Sequence, residues 1–446
     1  MKPVFQEEQD LLERKLNINL PKNIWRKGSK IYLNHFDKRA FLIFKVNLLN
    51  NSLMLREYKK PTHQNYTLED EYLLKKDVLE SKVIKSINMT KKFILENLSH
   101  KFIISLSGGK DSTVMKTIID LAIEELYREG IHVKYRLISF NTSNDTAETY
   151  LYLKNYHHMQ KENIISPQTG FYNWITKSKN YFTPSVFIRN CCSTYKEGQL
   201  SKVLNKNEKA VIFLGMRKYE SIKRKHYDFD LNESQIRVGN KLSVPNTWKR
   251  FLPIVEWEDS DVWLYILNRK IEYNKMYNLG FNRVGCLICP NQQDYVELLI
   301  KEYYPKQWSR WINILSKGYK IYGVDRRLKW SLFEWCEGGK WKKSISKEFE
   351  LTTKKATPER IEELSKLKNI PKEIAVQYFN KKCECGKKLN PTEIAMFLKI
   401  IGIYENINND TRKYLCKKCL CKLLNISSKE YKDISIEYSK KGCNLF

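Results

Sequence analysis

The sequence predicts an α/β protein built on a doubly wound parallel sheet, and two observations carry the prediction. From about residue 96 to residue 290, short apolar runs alternate with helical patterns, the order of a parallel sheet with helices on its faces. One run, Phe102 to Leu106, ends in Ser107-Gly108-Gly109-Lys110-Asp111-Ser112, and a helical pattern follows. In that strand–loop–helix order, backbone amides and a helix N-terminus can cradle an anion.

Along the chain, residues 1–95 predict a small α+β module, a candidate nucleic-acid-binding piece. A helix spans Gln6 to Leu16; strand-like "KIYLNHF" and "AFLIFKVNLL" follow, then a turn at Asn50 to Ser52 and "LMLREYKKP". Within residues 96–295, "KFIISLS" is a buried strand. Ser112 to Glu129 has helical spacing and stops at Gly130. "VKYRLISFN" is the next strand, "TAETYLYLKNYH" the next helix, and Val211 to Arg217 a later strand. Ser107 to Ser112, Asn141 to Thr149 and Gly215 to Arg224 all follow predicted strands, where doubly wound sheets bind ligands. Residues 296–380 form an aromatic-rich helical extension, with Thr357 as N-cap and Pro358 at a first helical position. Residues 381–446 set two cysteine pairs around the helical pattern "NPTEIAMFLKIIG".

The charge is the loudest compositional fact. Lys and Arg number 79 against 50 Asp and Glu, a formal +29, which favours a polyanionic partner, most simply DNA or RNA. Abundant Lys, Asn and Ile also suit a plain compositional bias. No run of 18 apolar residues appears, so no membrane partner is expected. The eleven cysteines are odd in number and mostly clustered, with no export signal, which reads as metal ligation in a reducing cytoplasm.

In the loop, Gly108 and Gly109 let the backbone approach an anion, Ser107 and Ser112 add hydroxyl donors, and Lys110 adds charge. The pattern is neither a Walker A loop nor a dinucleotide G-x-G-x-x-G. "SGGKDS" resembles the PP-loop of the N-type ATP pyrophosphatases, which adenylate substrates and release pyrophosphate. "NTSNDTAETY", "GMRKYESIKR", "FLPIVEWEDSDVWLYI" and "YNKMYNLGFNRVGCLICP" are similar, in order, to segments of the phosphoadenylylsulfate reductase-like branch. The resemblance covers residues 100–295 or so. It implies phosphate binding by Ser107, Gly109, Lys110, Asp111 and Ser112, with Gly108 and Gly215 also among the nucleotide-binding residues and Asn141 near the nucleotide. Arg217 and Arg224 suit the anionic end, where guanidinium makes bidentate contacts and stays charged. Lys110, Asp111 and Arg217 are the candidate catalytic residues; Asp111 would orient donors or hold Mg²⁺.

The tandem Cys191-Cys192 and the later Cys286-x-x-Cys289 are similar to the [4Fe-4S] site of adenylylsulfate reductases and of the sulfurtransferase of bacterial DNA phosphorothioation. Four thiolates also suit tetrahedral Zn²⁺. In the tail, Cys383, Cys385, Cys416 and Cys419 read as a zinc ribbon, with Cys421 as an alternative ligand and Cys336 and Cys443 unassigned.

Three readings follow. The first is ATP-dependent sulfur transfer to nucleic acid, resembling DNA phosphorothioation or tRNA thiolation, fed by a sulfur donor such as a cysteine desulfurase. The second is reduction of a sulfonucleotide with a thioredoxin-like donor. Phosphoadenylylsulfate reductases use a C-terminal Glu-Cys-Gly-(Leu/Ile)-His; here Glu384-Cys385-Gly386 is followed by two lysines and no histidine. The third is a nucleotide-sensing, nucleic-acid-binding protein without turnover.

Overall fold

The computed structural model describes all residues except 62–65, 187–189, 206, 222–223, 232–246, 323–329, 344–350, 352–355, 370, 381, 390–392, 395, 398–399, 402–413 and 441–446. Cys443, Ile222 and Lys223, and part of the "NPTEIAMFLKIIG" pattern, lie outside the described residues. The chain divides into two units. The first comprises Met1–Trp174, Cys191–Asn313 and Glu337–Gly339; the second comprises Ile175–Asn190, Ile314–Cys336 and Lys340–Phe446. Residues 1–95 thus share a unit with the parallel-sheet region, and the helical extension is split between the units.

The first unit holds two sheets. Strands β1 (Lys2–Pro3), β2 (Trp25–Lys27), β3 (Lys30–Tyr32), β4 (Leu42–Asn47) and β5 (Ser52–Tyr58) form an antiparallel meander in chain order. Helix α1 spans Gln6–Leu16 and buries Leu11 and Leu12. The second sheet is parallel: β6 (Lys101–Ser105), β7 (Tyr135–Phe140), β8 (Ile164–Ile165), β9 (Ala210–Phe213) and β10 (Trp248–Phe251) stand in the order β10-β9-β6-β7-β8. β6 is central and buried on both faces, with Phe102, Ile103 and Ile104 at 5%, 3% and 0% exposure, as a parallel strand covered on both faces must be. The chain leaves β6 toward β7 and later returns on the other side to β9, so the order reverses between β6 and β9, where such sheets bind ligands at their carboxyl ends.

Helix α2 (Leu68–Leu95) opens on a capping box between Thr67 and Asp70. Helix α3 (Lys110–Arg128) turns Val114, Ile118, Ile119, Ala122 and Leu126 into the core. It ends where Gly130 adopts φ +84° and Ile131 donates back to Leu126 O at 2.9 Å, closing off carbonyls the helix leaves unpaired. Helix α4 spans Ala147–Asn155, α5 Asn190–Tyr195 and α6 Asp259–Asn268. From α2, Lys75 and Lys82 reach the buried Asp261 at 2.5 and 2.6 Å, and Ser86 accepts from the Trp257 indole at 3.0 Å. These contacts fix the start of α6. Among the described residues no helix is long and apolar enough to cross a membrane.

In the second unit, helices α7 (Pro358–Lys368), α8 (Lys372–Asn380), α9 (Lys417–Leu424) and α10 (Ser428–Lys440) surround a core that includes Leu364, Tyr378, Phe397, Ile400, Ile401 and Leu420. Thr357 caps α7 through the Arg360 amide, with Pro358 in the first turn.

Candidate functional site: a phosphate loop and two cysteine groups

The loop after β6 is held by its own side chains. Ser112 Oγ donates to Gly109 O at 2.9 Å and accepts from the Ser107 amide at 3.2 Å; the Ser107 and Ser112 hydroxyls lie 3.1 Å apart. Gly108 adopts φ +74°, and a Cβ there would meet Thr149 Cγ2 at 2.8 Å. Only glycine combines that turn with that packing. Asn274, 1% exposed, donates to Gly108 O at 3.3 Å and to Thr149 Oγ1 at 3.1 Å. The Lys110 amide, at the start of α3, donates to the Tyr277 hydroxyl at 2.9 Å. Burial pushes the Tyr277 phenol well above its ordinary range, so it stays neutral.

Beside the loop, four charged side chains from three elements alternate in sign. The Lys110 ammonium lies 2.9 Å from both Asp111 oxygens and 3.1 Å from Asp259 Oδ1. Arg217 sends Nε to Asp111 Oδ1 at 2.7 Å, Nη2 to Asp259 Oδ1 at 2.6 Å and Nη1 to Trp257 O at 3.1 Å. Burial opposes ionisation of Asp259, yet the Lys110 ammonium, the Met1 α-ammonium 3.1 Å from Oδ2 and the Arg217 guanidinium hold its carboxyl far below the usual range. Asp111 is lowered in the same way, by Lys110 and Arg217 against burial. Lys110 and Arg217 are 4% and 2% exposed, whereas the Asp259 side chain is 44% exposed. The network therefore stores two cations at the switch point behind a carboxylate that faces solvent. Gly215 makes this possible: a Cβ there would stand 2.9 Å from Asp111 C and O and from Ser112 N.

The first cysteine group faces the loop after β7. Asn144, 4% exposed, donates through Nδ2 to Ile288 O at 2.8 Å, accepts from the Ile288 amide at 3.2 Å and takes the Leu287 amide on its own carbonyl at 2.6 Å. The Cys286 thiol donates to Thr142 Oγ1 at 3.5 Å. Gln292 closes the C-x-x-C turn by donating to Cys286 O and Leu287 O at 3.0 and 2.8 Å. A hydrogen bond with Cys192, then burial, then the fields of Cys286 and Cys289 push the Cys191 thiol far up, so the four thiols share one electrostatic neighbourhood. Lys196 is raised chiefly by Cys286, a cation placed among these sulfurs.

The second cysteine group lies in the tail. The sulfurs of Cys383, Cys385, Cys416 and Cys419 all lie within 4.8 Å of one another, the single such group of metal-ligand atoms among the described residues. Cys385 and Cys416 Sγ are 3.8 Å apart, matching the edge of a tetrahedron with ~2.3 Å metal–sulfur bonds. A tight turn presents the first pair: Cys383 N donates to Lys387 O at 2.8 Å, Gly386 N to Cys383 O at 2.9 Å, and Gly386 has φ +81°. The Cys416 amide donates to Cys383 Sγ at 3.2 Å. Cys421 is not in the group and packs against the helical core. Cys336 is buried.

Of the sequence-derived candidates, Ser107, Gly108, Gly109, Lys110, Asp111, Ser112, Gly215 and Arg217 come together at the ends of β6 and β9. Asn141 binds Ser166 Oγ at 3.1 Å through Nδ2 and the Ser143 amide at 2.7 Å through Oδ1, both within its own edge of the sheet. Arg224 pairs with Glu220 instead of joining the network. Asp259, Tyr277, Asn274 and Asn144 were not singled out from the sequence. Each lies within or beside a quoted stretch, but spacing assigns none of them a partner.

The glycine loop thus stands at the switch point of the parallel sheet, with the first cysteine group packed against the loop after the neighbouring β7. Residues 101–292 match the phosphoadenosine phosphosulfate reductase domain. The uncharacterized protein MJ0973 of Methanocaldococcus jannaschii is 27% identical over 261 residues, 56% of this chain and 57% of that protein. MJ0066 of the same organism is 28% identical, over 55% of this chain and 46% of its own length, so the chain spans about half of each relative. The adenosine 5′-phosphosulfate reductase of Neisseria meningitidis serogroup A is 26% identical over 38% of this chain and 67% of its own. A phosphoadenylyl-sulfate reductase from Candida auris aligns at a TM-score of 0.32 and 14% identity, covering 44% of this chain and 87% of that one.

Proposed function

We propose that the protein is an ATP-dependent sulfur-transfer enzyme that adenylates a nucleic-acid acceptor and releases pyrophosphate. The loop amides and the Ser107 and Ser112 hydroxyls bind the phosphates of ATP, which arrives with Mg²⁺. An acceptor oxygen attacks the α-phosphorus, the bond to the bridging oxygen of the β-phosphate breaks, and pyrophosphate carries the electron pair away. Lys110 and Arg217 stabilise charge on the departing phosphates, held in place by Asp111 and Asp259 until the nucleotide arrives. The terminal sulfur of a donor persulfide then attacks the activated acceptor, AMP leaves with the electron pair of the broken acceptor–oxygen bond, and a second donor thiol cleaves the S–S bond as a disulfide, leaving the sulfur on the acceptor.

Cys191, Cys192, Cys286 and Cys289, whose thiols share one electrostatic neighbourhood, would hold a [4Fe-4S] cluster. That group would supply sulfur handling or redox chemistry beside the loop. Cys383, Cys385, Cys416 and Cys419 fit Zn²⁺.

The observation that favours this reading over sulfonucleotide reduction is the position of Cys385. It stands where the Glu-Cys-Gly nucleophile would, yet its sulfur belongs to the four-thiol group. A metal-bound thiolate is a poor nucleophile. Reduction remains the second reading, favoured by the adenosine 5′-phosphosulfate reductase relatives and by the exposure of Cys385, whose thiol is lowered to about 7 by the Lys387 backbone and neighbouring thiols.

Anaerobic purification, an ultraviolet–visible spectrum and a pyrophosphate assay with and without tRNA or DNA test the proposal. Broad cluster absorbance and nucleic-acid-stimulated pyrophosphate release are expected. Sulfite from adenylylsulfate without pyrophosphate release would establish the second reading. Salt-sensitive nucleic-acid binding without any turnover would leave only a sensor.

A further inference from the structure

We propose that the tail grips the phosphate backbone of nucleic acid in a lysine-lined concavity beside its four-thiol turn. The concavity has a volume of about 580 Å³, and its wall includes Lys387, Lys417, Lys418, Lys422, Asn425 and Ser428. Among the described residues no carboxylate lines it. Helix α9 reads "KKCLCKLL", three lysines and no acid in eight residues.

The lysines differ in how they are held. Lys387 is paired with Glu393 at 2.6 Å, and the Lys417 ammonium sits 5.3 Å from the centre of the Tyr431 ring. Lys418 and Lys422 are exposed, one helical turn apart, and pair with no carboxylate among the described residues. Like charges at that spacing repel and weaken a helix. An anion lying across both relieves the repulsion, and a chain of phosphates does so for several lysines at once.

The chemistry of the wall specifies the kind of contact. Lysine is a compact point charge without the fork that reads a base edge, and among the described residues no arginine or aromatic ring lines the concavity. Such a surface fixes a backbone in place and leaves base identity unread. The +29 of the whole chain draws the polyanion in from a distance. The inference rests on nucleic acid being the acceptor proposed above, but it is read by binding alone.

The test uses the full-length protein, a fluorescent single-stranded RNA and a duplex DNA, each in two unrelated sequences, titrated by anisotropy over a range of KCl. Lys418→Gln with Lys422→Gln is expected to weaken binding about tenfold and to reduce the single-strand salt slope by about 1.4, at ~0.7 per phosphate contact. The loss should be equal for both sequences, with bound zinc and thermal midpoint unchanged. Wild-type affinity and slope in the double variant would overturn the proposal. So would a polyglutamate peptide that binds more tightly than RNA of equal charge, which would make the site one for an acidic protein. Nucleic-acid-dependent pyrophosphate release with unaltered binding in the variant removes the tail site and leaves the catalytic reading standing. Variant-sensitive binding without pyrophosphate release in the wild type does the reverse.

Discussion

Arg217 Nε stands 2.7 Å from Asp111 Oδ1, although 106 residues separate them in the chain. The contact ties the segment after β9 to the first turn of α3 and leaves Lys110 and Arg217 sharing two carboxylates. Removing one member therefore unbalances the rest. Asp111→Ala leaves three cations, Lys110, Arg217 and the Met1 α-ammonium, on the Asp259 carboxylate. With the Asp111 side chain 26% exposed, the cost is about 2 kcal/mol, below the 3–5 kcal/mol of fully buried pairs. Lys110→Ala with Asp111→Ala removes one charge of each sign and should be the more stable protein, yet lose turnover by a factor on the order of 10² or more. Thermal denaturation and pyrophosphate release together check both halves.

Tyr277→Phe removes the acceptor of the Lys110 amide. A buried amide left unpaired costs about 1–3 kcal/mol. Pyrophosphate bound in the loop offers a replacement acceptor. Added pyrophosphate should therefore raise the melting temperature of the variant more than that of the wild type.

Two glycine substitutions separate strain from function. At Gly215 an added Cβ meets Asp111 and Ser112 backbone at 2.9 Å, so Gly215→Ala must shift the first turn of α3 and should lower turnover sharply. At Gly130, with φ +84° and nothing within 4 Å, alanine meets only the left-handed backbone penalty of about 1–2 kcal/mol. Gly130→Ala should lower the melting temperature and leave turnover intact.

His157 supplies a pH dependence. Burial, reinforced by Lys116, lowers its imidazole to about 4, against 6.5 in the open chain. The unfolded chain takes up its proton as pH falls through 6.5, while the folded chain resists until about 4. Stability contributed by the neutral ring is complete above pH 6.5 and lost between 6.5 and 4, about 3 kcal/mol in all. His157→Gln, which can still bond Thr113 Oγ1, should flatten the urea-midpoint profile over that window.

The tail thiols make a stoichiometric prediction. Cys385→Ser should lower bound zinc, and Cys421→Ser should leave it unchanged, since Cys421 lies outside the four-thiol group. Metal analysis of the two purified variants decides it.

What could be read from the sequence was what repeats or stays local. α1 and the strand–loop–helix turn at Ser107 to Ser112 follow from short-range pattern, and the four tail cysteines from ligand count. Asp259 and Tyr277 did not follow, because their roles depend on chain reversal: nothing near Asp259 shows that Lys110 and Arg217 will meet it. The 28-residue α2 was also missed. Its exposed apolar residues Leu73, Leu74, Val78 and Ile84 blur the helical period that would have marked it. Arg224 looked equivalent to Arg217 in its motif, yet a glutamate one turn away takes it.

The Asn144 clamp on Ile288 spans 144 residues of chain. Contacts so distant form late, after the intervening loop entropy has been overcome. Cys191 and Cys192 are therefore synthesised and exposed well before the turn carrying Cys286 and Cys289 can close over Asn144. During that interval Cys191 and Cys192 stand without Cys286 and Cys289 beside them, so oxidation or capture by stray metal competes with folding. Yield of correctly assembled protein is set by the order in which the chain emerges and by how reducing its surroundings are, as much as by final stability.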